Sequence, residues 1–161
     1  MLVRPAHRLP PPPEITTILR GLLDKDVTLS RTDRVLEGPG LCAVYINRDD
    51  RPTNVIVVDV ALGGSMSAAL ALMPVDRVDE WIAAGDLDDD SAETLHEVLN
   101  VLAAAHNNGN DDTRHVRIDR LVRPGEDLTD VAGGLDAPVL QQTYEVTVGG
   151  YPGGLLRVAA F

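Results

Sequence analysis

Residues 86–106 read DLDDDSAETLHEVLNVLAAAH, an acidic run leading into an apolar one, and the spacing inside this stretch decides the fold. Leu95, Val98, Leu99 and Leu102 recur at i, i+3, i+4 and i+7, the stripe by which a helix packs on a core. The pattern predicts one long helix from Ala92 to His106. At about 100° per residue, Glu93, Glu97, Asn100 and Ala104 share the opposite face. Glu97 and Asn100 then stand one turn apart, pointing away from the core. Asparagine is a mediocre helix former, because its amide competes for backbone partners. On spacing alone an ordinary solvated face accounts for the pair; the functional alternative is a polar pair held out toward a partner.

Around this helix the chain reads as mixed α and β. The Pro10–Pro13 run makes Met1–Pro13 an extended tail, neither signal peptide nor anchor, and a single domain is expected over residues 14–161. Ile15, Ile18, Leu19, Leu22 and Leu23 give a short amphipathic helix over Glu14–Leu23, and Val27–Ser30 a short strand. Leu41–Asn47 and Asn54–Leu62, rich in β-branched residues around the polar turn Arg48–Thr53, read as an antiparallel hairpin. The unbroken apolar run Val55–Val60 marks a strand covered on both faces. A helix capped by Ser65 or Ser67 follows Gly63–Gly64 and ends at Pro74; a second spans Val75–Ala84, with Val75, Val78, Trp81 and Ile82 on one face and Gly85 closing it. Asn107–Asp112 is a polar loop and Val116–Val122 a half-exposed strand. Pro124–Pro138 is irregular, with one turn near Leu128–Val131. Gln142–Val148 and Leu155–Phe161 form a last hairpin around Gly149–Gly154. No internal repeat is convincing. The fold class is α+β, a mostly antiparallel sheet of about six strands with helices packed on it.

The 161 residues carry 25 acidic and 14 basic side chains, a formal charge of −11, and 44% are hydrophobic. That is enough apolar matter for a core, which excludes intrinsic disorder. The negative balance argues against nucleic acid and suits a partner with exposed Lys or Arg. Lys25 is the only lysine, a bias of GC-rich bacterial coding rather than a functional signal. Cys42, the sole cysteine, excludes an internal disulfide and reads as a small buried apolar residue. No apolar stretch reaches the roughly 18 residues of a membrane span. A soluble, cytoplasmic protein is expected.

Three other constellations compete with the Glu97 and Asn100 pair. Asp86-x-Asp88-x-Asp90 with Glu97 matches much of an EF-hand loop, but Ser91 and Glu93 replace its usual Gly and apolar residue. The simpler account makes Asp90 an N-cap and Glu93 its capping-box acid. His96-Glu97 starts like a zincin helix, yet Asn100 stands where the second histidine belongs. Gly63-Gly64-Ser65-Met66-Ser67 lacks both the lysine of a phosphate loop and the closing glycine of a nucleophile elbow, and reads as a turn plus an N-cap.

Glu97-Val98-Leu99-Asn100 resembles the Glu-x-x-Asn motif of the CheC/CheX/FliY family, chemotaxis phosphatases that act on the phosphorylated response regulator CheY. The order of elements is similar too: a hairpin, two helices, an acidic loop, the motif helix and a strand leading to Pro124, 24 residues after Asn100. With one such pair, the single-site CheX-like variant is the nearer match. The resemblance implies a CheC/CheX-like fold over Glu14–Phe161 and aspartyl-phosphate hydrolysis on a receiver domain. It implies that Asn100 orients the attacking water and that Glu97 pairs with the receiver's active-site lysine. Magnesium would be carried by the response regulator, leaving this chain with no cofactor or metal ligands of its own. Two positions depart from the family: Glu93 stands where Asp or Ser is usual, and Val101–Ala105 lacks the common glycine. Those departures favour the alternative, a non-catalytic interaction module that keeps the fold. Exposed edge strands leave room for a homodimer.

Overall fold

A computed structural model describes residues 8–38, 40–109 and 114–161. In chain order the elements are α1 (Pro12–Leu23), β1 (Val27–Thr32), β2 (Leu41–Ile46), β3 (Pro52–Val58), α2 (Val60–Ala71), α3 (Val75–Ala84), α4 (Asp89–Val101), α5 (Ala103–Asn107), β4 (Arg117–Val122), α6 (Thr129–Asp136), β5 (Leu140–Val148) and β6 (Tyr151–Ala160). The six strands form one antiparallel sheet in the order β1-β5-β6-β3-β2-β4. Met1–His7 of the expected tail and Asn110–Asp112 of the expected loop lie outside the described residues. Among the described residues no helix is long and apolar enough to cross a membrane.

The expected hairpin is β2–β3, with Leu41 opposite Val58 and Cys42 opposite Val57. Its turn is closed by the Asn47 side chain, which accepts the N–H groups of Asp49 and Arg51 at 2.9 and 3.0 Å. Strand alternation sends Leu41, Ala43, Tyr45, Ile56 and Val58 into the main core under α1, α2 and α4. Cys42, Val44, Val55 and Val57 go to a second cluster on the other face, covered by Val131 of α6 with Leu36, Leu128 and Leu135. Both faces are covered, which is what the unbroken apolar run of β3 requires.

The strand order reads the same from either end once β1, β2 and β3 are exchanged for β4, β5 and β6. Each half of the chain is thus a helix, an edge strand and a hairpin, and each half's edge strand pairs with the other half's hairpin: β1 with β5, and β4 with β2. This repeat exists in topology, not in residue identities.

Several elements differ from the sequence reading, each for a physical reason. The strand expected over Asn54–Leu62 stops at Val58, and α2 begins at Val60. Its N-cap is Asp59, whose Oδ1 accepts Leu62 N–H at 2.8 Å while Oδ2 accepts Leu155 N–H at 3.0 Å. An apolar run this short looks alike as buried strand and as buried helix. Gly63 and Gly64 are therefore interior to α2, not a turn, and they admit close neighbours. A methyl group on Gly63 would stand 2.8 Å from Leu41 Cδ1 and 3.1 Å from Leu95 Cδ2; one on Gly64 would meet Trp81 at 3.0 Å. Ser65 and Ser67 do not cap: they donate to the carbonyls of Ala61 and Ser91.

At the N-terminus, α1 starts at Pro12, two residues early, because prolines suit the first turn of a helix. Residues just before it are docked: Pro10 is buried, and the Arg8 carbonyl accepts Asn54 Nδ2–H at 3.2 Å. On α3 only Val78 and Trp81 of the expected apolar face are buried. The long helix is divided at Leu102 into α4 and α5. An eight-residue helix, α6, replaces the expected irregular stretch. Its Gly133–Gly134 pair hid it, and Gly134 is needed because a Cβ there would overlap the Phe161 ring.

Candidate functional site

The motif helix packs as its stripe requires. Leu95, Val98, Leu99 and Leu102 are fully buried, while Glu93, Glu97, Asn100, Val101 and Ala104 are exposed. Glu97 and Asn100 are thus brought together, one turn apart, on a free face. Among the described residues neither side chain makes a hydrogen bond or ion pair within the fold.

Both ends of α4 are fixed from outside the helix. At the start, the N-cap is Asp88 rather than Asp90: its Oδ1 accepts Ser91 N–H at 2.8 Å, and Asp90 and Glu93 point to solvent. Asp88 Oδ2 also takes Arg77 Nη2 at 3.1 Å and Trp81 Nε1 at 3.3 Å. Burial raises the Asp88 carboxyl, but the bonds from Ser91 and Trp81 and the Arg77 charge outweigh it and hold it below the usual carboxylate range. Arg123, just past β4, reaches across to Asp89 at 2.6 Å, Asp86 at 3.2 Å and the Leu87 carbonyl. Of the EF-hand-like run, Asp86 is therefore engaged by Arg123 and Asp88 as the cap, while Asp90 and Glu97 stay exposed. Among the described residues no group of three or more His, Cys, Asp or Glu is placed to hold a metal. Pro124 lies in the turn that follows, where Glu126 N–H bonds the Arg123 carbonyl at 3.0 Å and Gly125 takes φ +85°.

At the other end, the fully buried Tyr45 of β2 donates its hydroxyl to the Leu99 carbonyl at 2.6 Å, where the helix divides. Its ring lies against His106 of α5, centroids 4.8 Å apart. Sequence reasoning missed Tyr45 and Arg123, and read Asp88 only as a member of the EF-hand-like run. Only Tyr45 left a signal, as a tyrosine alternating inward on a buried strand, which needs a partner for its hydroxyl. Tyr45→Phe leaves the Leu99 carbonyl unsatisfied, so a loss of about 1–3 kcal/mol is expected. Its check is a thermal melt about 5 °C lower, with faster amide exchange at Val101–Ala103; unchanged exchange there would remove Tyr45 from the positioning of the site.

His106 sits in the core, and burial lowers its pKa from 6.5 to about 4, partly offset by a hydrogen bond to the Leu102 backbone. The neutral form is the folded one, so between pH 6.5 and 4 the unfolded chain binds more protons and stability falls on acidification. About 3 kcal/mol should be lost across that window. A flat pH dependence in His106→Leu, beside a sloping wild type, is the expected comparison. Loss of the Asp88 interactions begins only at lower pH.

Beside the exposed face, α4 and β4 border an open groove of about 850 Å³ lined by Asp90, Glu93, Glu97, Asp119, Arg120 and Arg123 among others. Its arginines are engaged within the fold, Arg120 with Asp119 and Asp130 and Arg123 with Asp86 and Asp89. Asp90, Glu93 and Glu97 form no ion pair among the described residues, which leaves the groove acidic. His96 lines it too, half-buried on the helix flank.

No family model and no curated protein sequence matches the chain. Solved structures do. The FliM middle domain of Helicobacter pylori aligns with 12% identity over 92% of this chain and 84% of its own, at a TM-score of 0.62. FliY of Thermotoga maritima aligns with 12% identity over 99% and 92%, at 0.59. The CheX–CheY–BeF3–Mg2+ complex of Borrelia burgdorferi supplies a third, with 13% identity over 91% and 92%, at 0.55. At such identities the likeness is one of fold, and it extends over nearly the whole chain. From the hairpin to the motif helix and the final strands, this chain has the CheC/CheX/FliY fold.

Proposed function

We propose that the chain is a phosphatase for the aspartyl phosphate of a CheY-like response regulator, with Glu97 and Asn100 as its working residues. One observation carries the reading: the two side chains stand together on an exposed helix face, free of internal bonds among the described residues, while the helix beneath them is clamped at both ends. The fold shared with CheX, whose solved complex contains CheY, BeF3 and Mg2+, supports it.

Hydrolysis of an acyl phosphate needs little covalent help from the catalyst; positioning and charge stabilisation dominate. Water attacks phosphorus in line with the leaving aspartate. The new P–O bond forms as the bond to the carboxylate breaks, releasing phosphate and the regenerated side chain. The Asn100 amide accepts from and donates to that water, fixing its approach. Glu97 holds the receiver's lysine and sets the docking register. Magnesium belongs to the receiver, and the acidic groove steers a basic partner surface. Such a partner places the chain in the cytoplasm. Ala104, small and exposed, leaves room beside Asn100.

The test is the decay of a phosphorylated receiver from the same genome, with and without the chain. Faster decay at substoichiometric amounts supports the reading; unchanged decay across the cognate receivers overturns it. The second reading, a non-catalytic interaction module, is favoured by the match to FliM, which is also solved in a FliG–FliM complex at a TM-score of 0.60. It expects receiver or motor-protein binding without faster decay.

A further inference from the structure

On the sheet face turned away from α1, α2 and α4, one row of residues crosses all six strands. Thr32 pairs with Thr143, Thr143 with Arg157, Arg157 with Val57, Val57 with Cys42, and Cys42 with Val122. Paired residues in antiparallel strands share a face, so these side chains lie side by side. The first five line a cleft of about 580 Å³, together with Val35, Leu36, Leu128 and Leu135.

The row has a polarity. Two hydroxyls come first, then a guanidinium, then an apolar floor. With strands about 4.8 Å apart, the floor from Arg157 to Cys42 runs for about 10 Å. Burial pushes the Cys42 thiol up to about 12, so it remains neutral and behaves as apolar floor rather than as a nucleophile.

Arg157 is the group out of pattern. Its Nε donates to Gln141 Oε1 at 3.0 Å and its Nη2 to the Leu135 carbonyl at 2.8 Å. These bonds fix the plane of the guanidinium. Among the described residues no carboxylate pairs with it and Nη1 has no hydrogen bond, in a chain whose formal charge is −11. Asp33, the one carboxylate among the lining residues, is not paired with it, and Arg34 at the rim is paired with Glu145 at 3.1 Å. Arg157 is thus a half-buried cation held in one plane, with Nη1 left open to an anion.

We propose that this cleft binds a small amphipathic anion, its carboxylate on Arg157 Nη1 and the Thr143 hydroxyl and its alkyl body at the Val57 end of the floor, against Val35, Leu36 and Leu135. The site lies across the sheet from Glu97 and Asn100 and stands or falls independently of the phosphatase reading.

Titration of the 15N-labelled full chain with octanoate and with octanol tests it. Octanoate should shift amides in the row Thr143, Arg157, Val57 and Cys42, and bind about tenfold or more tightly than octanol, the worth of one charge-assisted hydrogen bond. Arg157→Gln should erase the difference between the two probes. Thr143→Glu sets a carboxylate beside Arg157 and should abolish octanoate binding while octanol still binds. This second variant keeps the test decisive if Arg157→Gln does not fold. Equal affinity for both probes, shifts elsewhere, or no shifts at millimolar octanoate would overturn the proposal.

Discussion

Asn100→Ala should return receiver dephosphorylation to near its spontaneous rate, a loss on the order of a hundredfold, as when one pre-set polar group is removed from a transition state. The same substitution should leave the melting temperature nearly unchanged. Asn100 is exposed and its side chain bonds nothing within the fold among the described residues, and alanine is the better helix former. Activity and stability therefore separate cleanly at this position. Glu97→Ala should behave differently, raising KM with a smaller change in kcat, because the role proposed for it is docking rather than orienting water. Weakening of the Glu97 effect by added salt would mark an exposed ion pair with the partner. An Asn100→Ala protein with wild-type kcat would remove Asn100 from the chemistry.

Gly153→Val should cost about 4 kcal/mol, lowering the melting temperature by more than about 10 °C. Gly153 lies in β6 at φ +69°, a left-handed conformation that a β-branched residue adopts only under strain. A Cβ there would also run into the Val146 carbonyl of the neighbouring strand, which is backbone and cannot step aside. Its N–H donates to Ser65 Oγ of α2 at 3.2 Å, so the distortion would reach the helix layer. Gly150, also at positive φ but with open space around it, is the control: Gly150→Asn should cost far less. Comparable melts for the two variants would show that the local conformation, not the neighbouring carbonyl, governs both.

Much of the architecture was legible because burial writes itself into spacing. The stripe Leu95–Leu102 and the apolar run of β3 specified which faces turn inward, and the free face bearing Glu97 and Asn100 followed from them. Boundaries were less legible. Asp59 caps α2 from within an apolar run, and Gly63–Gly64 serve helix contacts although the pair spells a turn. Asp88 outcompeted Asp90 for the cap because Arg77, Trp81 and Ser91 converge on it, and no local pattern announces partners brought from elsewhere in the chain. Tyr45 and Arg123 escaped for the same reason: each acts on α4 across a long stretch of sequence. Whether Glu97 and Asn100 catalyse is written in a partner's surface, and in the sequence only as a shared outward face.

The interleaving of the two halves has a consequence for synthesis. Val27 of β1 waits for Val148 of β5, so the first strand of this sheet to be made is among the last to find its neighbour. Until then its polar groups are an open template for any passing strand, a hazard met by chains whose pairing is this non-local. Cover comes early: Arg20 of α1 donates to the Val27 carbonyl at 2.9 Å, and the helix precedes the strand by only three residues. The Val27 carbonyl at the head of β1 thus has a partner from its own helix well before β5 exists to pair with the strand.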